Sequence, residues 1–171
     1  SLNDTFKSLY NIEDAFKSCK IGHHSDGKIL MDLLEAYGLK EAEISKIKEC
    51  YGRILNQNLK RNDENKILPG IVEILTEIEG SENVWNMLIT SNFKIGAEEK
   101  LKSHGLENFF KMGVYGDDVN DKSEAIQKAL EIAKDRHETE FAIGEIFVIG
   151  DTAHDIKAAK NSNVKSIAVA T

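Results

Sequence analysis

A doubly wound α/β fold, with a parallel sheet of Rossmann-like type and a small helical domain ahead of it, is the architecture this sequence predicts. Three observations carry the prediction. Over 26–37 and from 41 to 54 the apolar residues fall at helical spacing; beyond residue 66 short apolar runs alternate with amphipathic stretches; and 171 residues are enough for one core with a modest appendage.

The elements follow in order. Over 26–37, Ile29, Leu30, Leu33, Leu34 and Tyr37 line one helical face, and from 41 onward Ile44, Ile47, Tyr51 and Ile54 line another. Gly38 ends the first helix, and Glu41 to Glu43 suit the first turn of the second, where carboxylates meet the positive end of the helix dipole. The polar stretch 60–66 separates this region from the rest, which places a boundary near Lys66 and divides the chain into a helical part, 1–66, and an α/β part, 67–171. Leu68, Pro69 and Gly70 then lead into a helix through Ile71, Ile74, Leu75 and Ile78.

Beyond it the sequence predicts a strand over 84–91, a helix over 93–104, a short strand over 113–115 and a helix over 122–136. The last carries Ile126, Ala129, Leu130 and Ala133 on one face. A near-continuous apolar run predicts a strand over 145–150, then a helix over 154–161 and a strand over 164–171. Strands separated by amphipathic helices imply βαβ crossovers, hence a parallel sheet buried on both faces. Such sheets bind ligands beyond the carboxyl ends of their strands.

Composition narrows the function. A hydrophobic fraction of 41%, a charged fraction of 30% and a single proline describe an ordinary globular chain. The net charge of −7, with no basic block, argues against a nucleic-acid or anionic-membrane partner. An acidic protein that binds a phosphate needs a cation to offset repulsion. Two cysteines, Cys19 and Cys50, in no metal-like spacing suggest a reducing compartment, with cytoplasm the expectation. The longest uncharged run, 83–93, falls well short of a membrane span.

At the predicted strand ends stand Thr90, Ser91 and Asn92, then Lys122, then Gly150, Asp151, Thr152, Ala153, His154 and Asp155. Thr90, Ser91 and Asn92 suit either the cap of the following helix or an anion seat, where a hydroxyl and exposed amides meet the helix dipole. Lys122 in a first turn is disfavoured by that dipole unless an anion lies close. Gly150 lets the chain turn sharply after the strand, leaving Asp151 at the sheet edge. With Asp155 it forms a carboxylate pair suited to magnesium, which prefers oxygen ligands. Ser25 and Asp26 read as a helix N-cap. No histidine pair has the spacing of a zinc site.

The order of hydroxyl, lysine and Gly-Asp-Thr-x-x-Asp resembles the haloacid dehalogenase superfamily of aspartate-nucleophile phosphatases, within it the phosphoglycolate-phosphatase branch. It rests on Leu68-Pro-Gly70, Leu88-Ile-Thr-Ser-Asn92, Asp121-Lys122 and Val148-Ile-Gly-Asp-Thr-Ala-His-Asp155. The resemblance implies that Thr90 holds phosphoryl oxygens, that Lys122 orients the nucleophile, and that Asp151 binds Mg2+ with help from Asp155. It also implies that 1–66 is the cap domain, with Gly22-His-His-Ser-Asp26 facing the substrate. The superfamily's Asp-x-Asp strand has no counterpart here, which places the nucleophile upstream of Ser1, leaves this stretch inactive by itself, and makes both ends look trimmed.

The expectation is therefore a magnesium-dependent hydrolase of a small phosphorylated metabolite acting through an aspartyl-phosphate. A phosphosugar mutase and a catalytically inactive binding module are the alternatives.

Overall fold

The computed structural model describes residues 1–18, 24–61 and 67–170. Cys19, Gly22, His23, the expected boundary at Lys66 and the end of the last predicted strand at Thr171 lie outside them. The chain opens with α1 (Leu2–Tyr10), a 3-10 turn at Ala15–Ser18, α2 (Asp26–Ala36), a second such turn at Glu41–Glu43, and α3 (Ile44–Arg61). Then come α4 (Ile71–Glu79), β1 (Leu88–Ile89), α5 (Lys94–Ser103), β2 (Gly113–Val114), α6 (Lys122–His137), a third 3-10 turn at Ile143–Glu145, β3 (Phe147–Gly150), α7 (Ala153–Asn161) and β4 (Lys165–Ala168).

The first helices turn their apolar stripes toward one another. Phe6, Leu30, Leu33, Leu34, Ile47 and Tyr51 form a single buried cluster. Phe93, at the start of α5, is buried in the same cluster, with Ile95 packed against it and its ring edge-on to Tyr51 at 5.3 Å. The helical region is thus pinned to the α/β region through the α3–α5 contact. A second, smaller cluster of Val114, Val119, Ala125 and Ala129 seats α6 on β1 and β2.

The strands pair in parallel, as the βαβ pattern demands: Leu88 with Gly113 and Ile89 with Val114, then Phe147 with Lys165 through Gly150 with Ala168. They form two separate two-stranded sheets, β1-β2 and β3-β4, bridged by the packing of α6 on β1, β2 and α7. Two expectations are corrected here. The strand expected over 84–91 pairs only at Leu88–Ile89. Its first part instead carries Trp85, half-exposed, with its ring tilted against His137 and edge-on to Phe141 at 4.4 and 5.6 Å between ring centroids.

Nor is the sheet buried on both faces. Phe147, Ile149 and Ile167 remain 50%, 55% and 44% exposed, because α7 packs on β3 and β4 while no described residue covers their remaining apolar surface. Among the described residues no helix is long and apolar enough to cross a membrane.

Candidate functional site

Asp155 organises the strand-end edge. It is the third helical residue of α7, and it forms a reciprocal cap with Thr152: the Thr152 hydroxyl accepts from the Asp155 amide, while the Asp155 carboxylate accepts from the Thr152 amide at 2.9 Å and hydroxyl at 2.6 Å. This arrangement satisfies backbone donors that a helix start would otherwise leave open. The other carboxylate oxygen accepts from the Lys122 ammonium, which α6 delivers from its first turn. The ion pair resolves the unfavourable position of a cation at a helix N-terminus. Burial pushes the Asp155 carboxyl up, but the bonds from Lys122 and Thr152 outweigh it and hold the group below the usual carboxylate range.

Gly150 has a role that differs from the expected one. Its backbone is not in the left-handed region, so no turn requires a glycine there. A Cβ at this position would instead overlap the Asp155 side chain. The glycine that ends β3 is the space into which the Asp155 carboxylate folds.

Around this pair a pocket of about 490 Å³ opens, lined by His24, Ser91, Asp121, Lys122, Ser123, Thr152, His154, Lys157, Ala158 and Asn161. Three strand-end segments therefore meet: the one after β1 through Ser91, the start of α6 through Lys122, and the one after β3 through Thr152. Thr90 and Asp151 are absent from this lining. Thr90 is half-buried, and its hydroxyl accepts from the amide and side-chain nitrogen of Asn92 at 3.2 and 2.8 Å. Asn92 in turn accepts from Lys100 at 2.9 Å. Asp151, exposed, directly follows β3.

The start of α5, for which Thr90, Ser91 and Asn92 read as either cap or anion seat, is capped from a distance. Phe93 amide donates to Asp26 at 3.1 Å and Lys94 amide donates to Asp117, so two carboxylates meet this helix N-terminus. Asp117 also pairs with Lys48 of α3. The two caps are remote in sequence from the helix they cap, which is why local reading missed them. Burial drives the Asp26 carboxyl above its ordinary value, against the opposing effects of the Phe93 amide and Lys100.

Ser25 and Asp26 likewise serve the fold. Ser25 is buried as the N-cap of α2, accepting from the Lys28 amide at 3.2 Å and donating to the Val119 carbonyl at 2.5 Å. The amides of Ser25, Asp26 and Gly27 donate to the carbonyls of Asn120, Ser91 and Gly116. A Cβ on Gly116 would strike the Ser91 carbonyl, so glycine is what lets these backbones meet. Of the two expected readings, Ser25 adopts the N-cap, and with Asp26 it forms a seam that fixes α2 against the loops after β1 and β2.

The donors available to a magnesium ion are oxygens, as that ion requires. Among the described residues no group of three or more His, Cys, Asp or Glu is arranged to hold a metal. Both oxygens of Asp155 accept hydrogen bonds from Lys122 and Thr152, while Asp151, the other carboxylate of the expected pair, stands exposed at the edge. One carboxylate supplemented by water and phosphate oxygens is within magnesium's ordinary habit.

Over residues 2–169 the sequence matches the haloacid dehalogenase-like hydrolases. No curated protein is significantly similar to it in sequence. Among solved structures, a protein assigned as a phosphatase from Clostridium difficile is 22% identical, with a TM-score of 0.53 over 98% of this chain and 63% of that one. A protein assigned as a beta-phosphoglucomutase from Thermotoga maritima is 19% identical, with a TM-score of 0.55 over 99% of this chain and 76% of that one. At these identities the likeness is one of fold; the chain spans less than two thirds of the Clostridium protein.

Proposed function

We propose, from the premise that this chain belongs to the haloacid dehalogenase-like hydrolases, that the whole protein is a magnesium-dependent phosphatase of small phosphate monoesters. The observation that carries the reading is the convergence of Ser91, Lys122 and Thr152 on one pocket, with Lys122 held by Asp155. A phosphoryl group seated there meets an ammonium and two hydroxyls. Phosphoryl transfer asks mainly for such positioning and charge stabilisation.

In this mechanism Lys122 lies beside the phosphoryl oxygens and offsets their charge, while Asp155 fixes the direction of its ammonium. Thr90, tied to Asn92, holds the segment after β1 at the sheet edge. Asp151 would hold Mg2+, which when bound draws electron density from the phosphoryl oxygens. The attacking carboxylate would form an aspartyl-phosphate that water then hydrolyses, splitting one difficult displacement into two. We place that carboxylate on a further strand lying between β1 and β3. The support is that β1-β2 and β3-β4 are separate pairs and that Phe147 and Ile149 are half-exposed. The helical region 1–66 would act as the cap, and the site as a cytoplasmic one.

The test is turnover of an aryl phosphate by the full-length protein with and without magnesium, beside Lys122→Ala and Asp151→Ala. Activity that requires magnesium and falls at least a hundredfold in either variant supports the reading, on the scale typical of lost electrostatic stabilisation. Unimpaired turnover in both variants contradicts it.

A further inference from the structure

A second cavity, of about 460 Å³, lies between α3 and α5 and shares no lining residue with the one at the strand ends. Helix α3 supplies Arg53, Asn56, Gln57 and Lys60 to it, and α5 supplies Ile95 and Glu99. The spacing of the four α3 residues, three, four and seven apart, sets them on one face of the helix, while Ile47, Tyr51 and Leu55 join the apolar cluster. Gly52 lies between these two faces: a Cβ there would overlap the Ile95 side chain, so glycine is what lets α3 and α5 meet beside the cavity.

The lining is unlike the rest of the molecule in charge. The chain carries −7 overall, yet this cavity meets two cations and one carboxylate. That carboxylate, Glu99, accepts from the side-chain amide of Asn56. Arg53 makes one bond, from a guanidinium nitrogen to the Cys50 sulfur at 3.6 Å. Neither Arg53 nor Lys60 forms an ion pair among the described residues. The remaining guanidinium donors form a planar fork that matches two oxygens of a phosphate. At 1.5 Å of rise per residue, Lys60 stands roughly 10 Å along α3 from Arg53, a separation that two long side chains can close upon one ligand. Gln57 offers an amide between them, and the volume is that of an ordinary small-molecule site.

We infer that the cavity between α3 and α5 binds a small molecule carrying two phosphate-type anionic groups, one held by Arg53 and the other by Lys60. The inference goes beyond the phosphatase reading: this ligand is not the substrate, and its site stands whether or not the strand-end edge seats a phosphoryl group. Because the cavity is walled by both helices, its ligand adds contacts across the junction made by Tyr51 and Phe93 and stabilises the docking of the helical region.

Binding is measured by titration calorimetry on the full-length protein carrying Lys122→Ala, which removes the ammonium of the strand-end edge, with magnesium withheld. Inorganic phosphate, pyrophosphate and hexane-1,6-bisphosphonate present one anion, two adjacent anions and two distant ones. The expected result is that at least one doubly anionic probe binds tenfold or more tighter than phosphate and raises the thermal unfolding midpoint. That preference should persist in Lys60→Arg and fall below twofold in Arg53→Gln/Lys60→Gln. It should survive in Lys102→Gln/Lys111→Gln, which makes the same change of charge away from the cavity. The probe that binds tighter gives the spacing of the two anions. Equal or absent binding of the three probes overturns the site, as does a preference that survives in Arg53→Gln/Lys60→Gln or is lost equally in Lys102→Gln/Lys111→Gln. A midpoint that does not rise with a bound probe overturns the bridging of the two helices. None of these outcomes touches the phosphoryl seat, because each is read in a protein whose seat is disabled.

Discussion

The helical cluster around Phe6, Leu33, Ile47 and Phe93 and the strand pair β3-β4 are built on opposite principles. In the cluster these four side chains are fully buried, and the periodicity that predicted helices over 26–37 and from 41 already set Leu33 and Ile47 on their apolar faces. In the strand pair the apolar residues Phe147, Ile149 and Ile167 stay about half-exposed, and order comes from the backbone ladder, from α7 and from the polar knot of Gly150, Thr152, Lys122 and Asp155. The difference teaches that this chain separates its stability from its chemistry. The helices and α5 form the packed part, while the strand ends hold charged groups in place through hydrogen bonds.

Substitutions can break that comparison. Phe93→Ala should have the largest effect, about 3–5 kcal/mol in urea unfolding, because it empties a fully buried site at the α3–α5 junction. Gly150→Ala should cost about 1–3 kcal/mol, the usual range for forcing extra volume into a filled site. It should also displace Asp155, visible as loss of the Lys122–Asp155 contact in a crystal structure. If Gly150→Ala is as stable as the parent and Asp155 stays in place, the cavity role assigned to that glycine is wrong.

Asp26 sharpens the contrast through pH. Its folded-state value is raised, mainly by burial, so the folded chain holds this proton more tightly than the unfolded one. The associated stability is full below the unfolded carboxylate value, near pH 4, and is lost as pH rises through the folded value. Asp26→Asn should therefore be at least as stable as the parent at pH 7, while Asp26→Ala, which leaves the Phe93 amide without its acceptor, should lose about 1–3 kcal/mol. Asp155 behaves in the opposite sense: its folded value is lowered, so its contribution is present above the unfolded value and disappears as pH falls through the folded one. An Asp155→Asn variant should show a flatter acid limb in its stability profile. Smallest of all, Ile149→Ala should change stability by less than about 1 kcal/mol in this chain, since half the side chain already faces water.

The same division explains what the sequence disclosed. Helix α6, expected over 122–136, spans Lys122–His137, because one apolar face and an aspartate N-cap mark it locally. The link between Lys122 and the Gly-Asp-Thr-x-x-Asp segment was legible as two charged motifs at adjacent strand ends, and the capping box of Thr152 and Asp155 follows a spacing readable in the residues themselves. Hidden from such reading were Asp26 and Asp117 as caps of α5, since a cap from a distant segment leaves no local pattern. The second role of Asp155 was hidden for the same reason. A carboxylate that anchors a lysine has the same letter as any other, and only the positions of Lys122 and Gly150 disclose that contact. The strand expected from residue 84 failed because apolar character alone does not supply a hydrogen-bonding neighbour, and Trp85 found His137 and Phe141 instead.

The central claim is that the edge formed by Ser91, Lys122 and Thr152 seats a phosphoryl group. Titrating inorganic phosphate into the isotopically labelled chain, with magnesium present, and following backbone amide resonances tests it most directly. The account predicts that the shifts concentrate at Ser91, Lys122, Ser123 and Thr152 and vanish in Lys122→Ala. Shifts confined to other surfaces, or a pattern unchanged by removing that lysine, would contradict it.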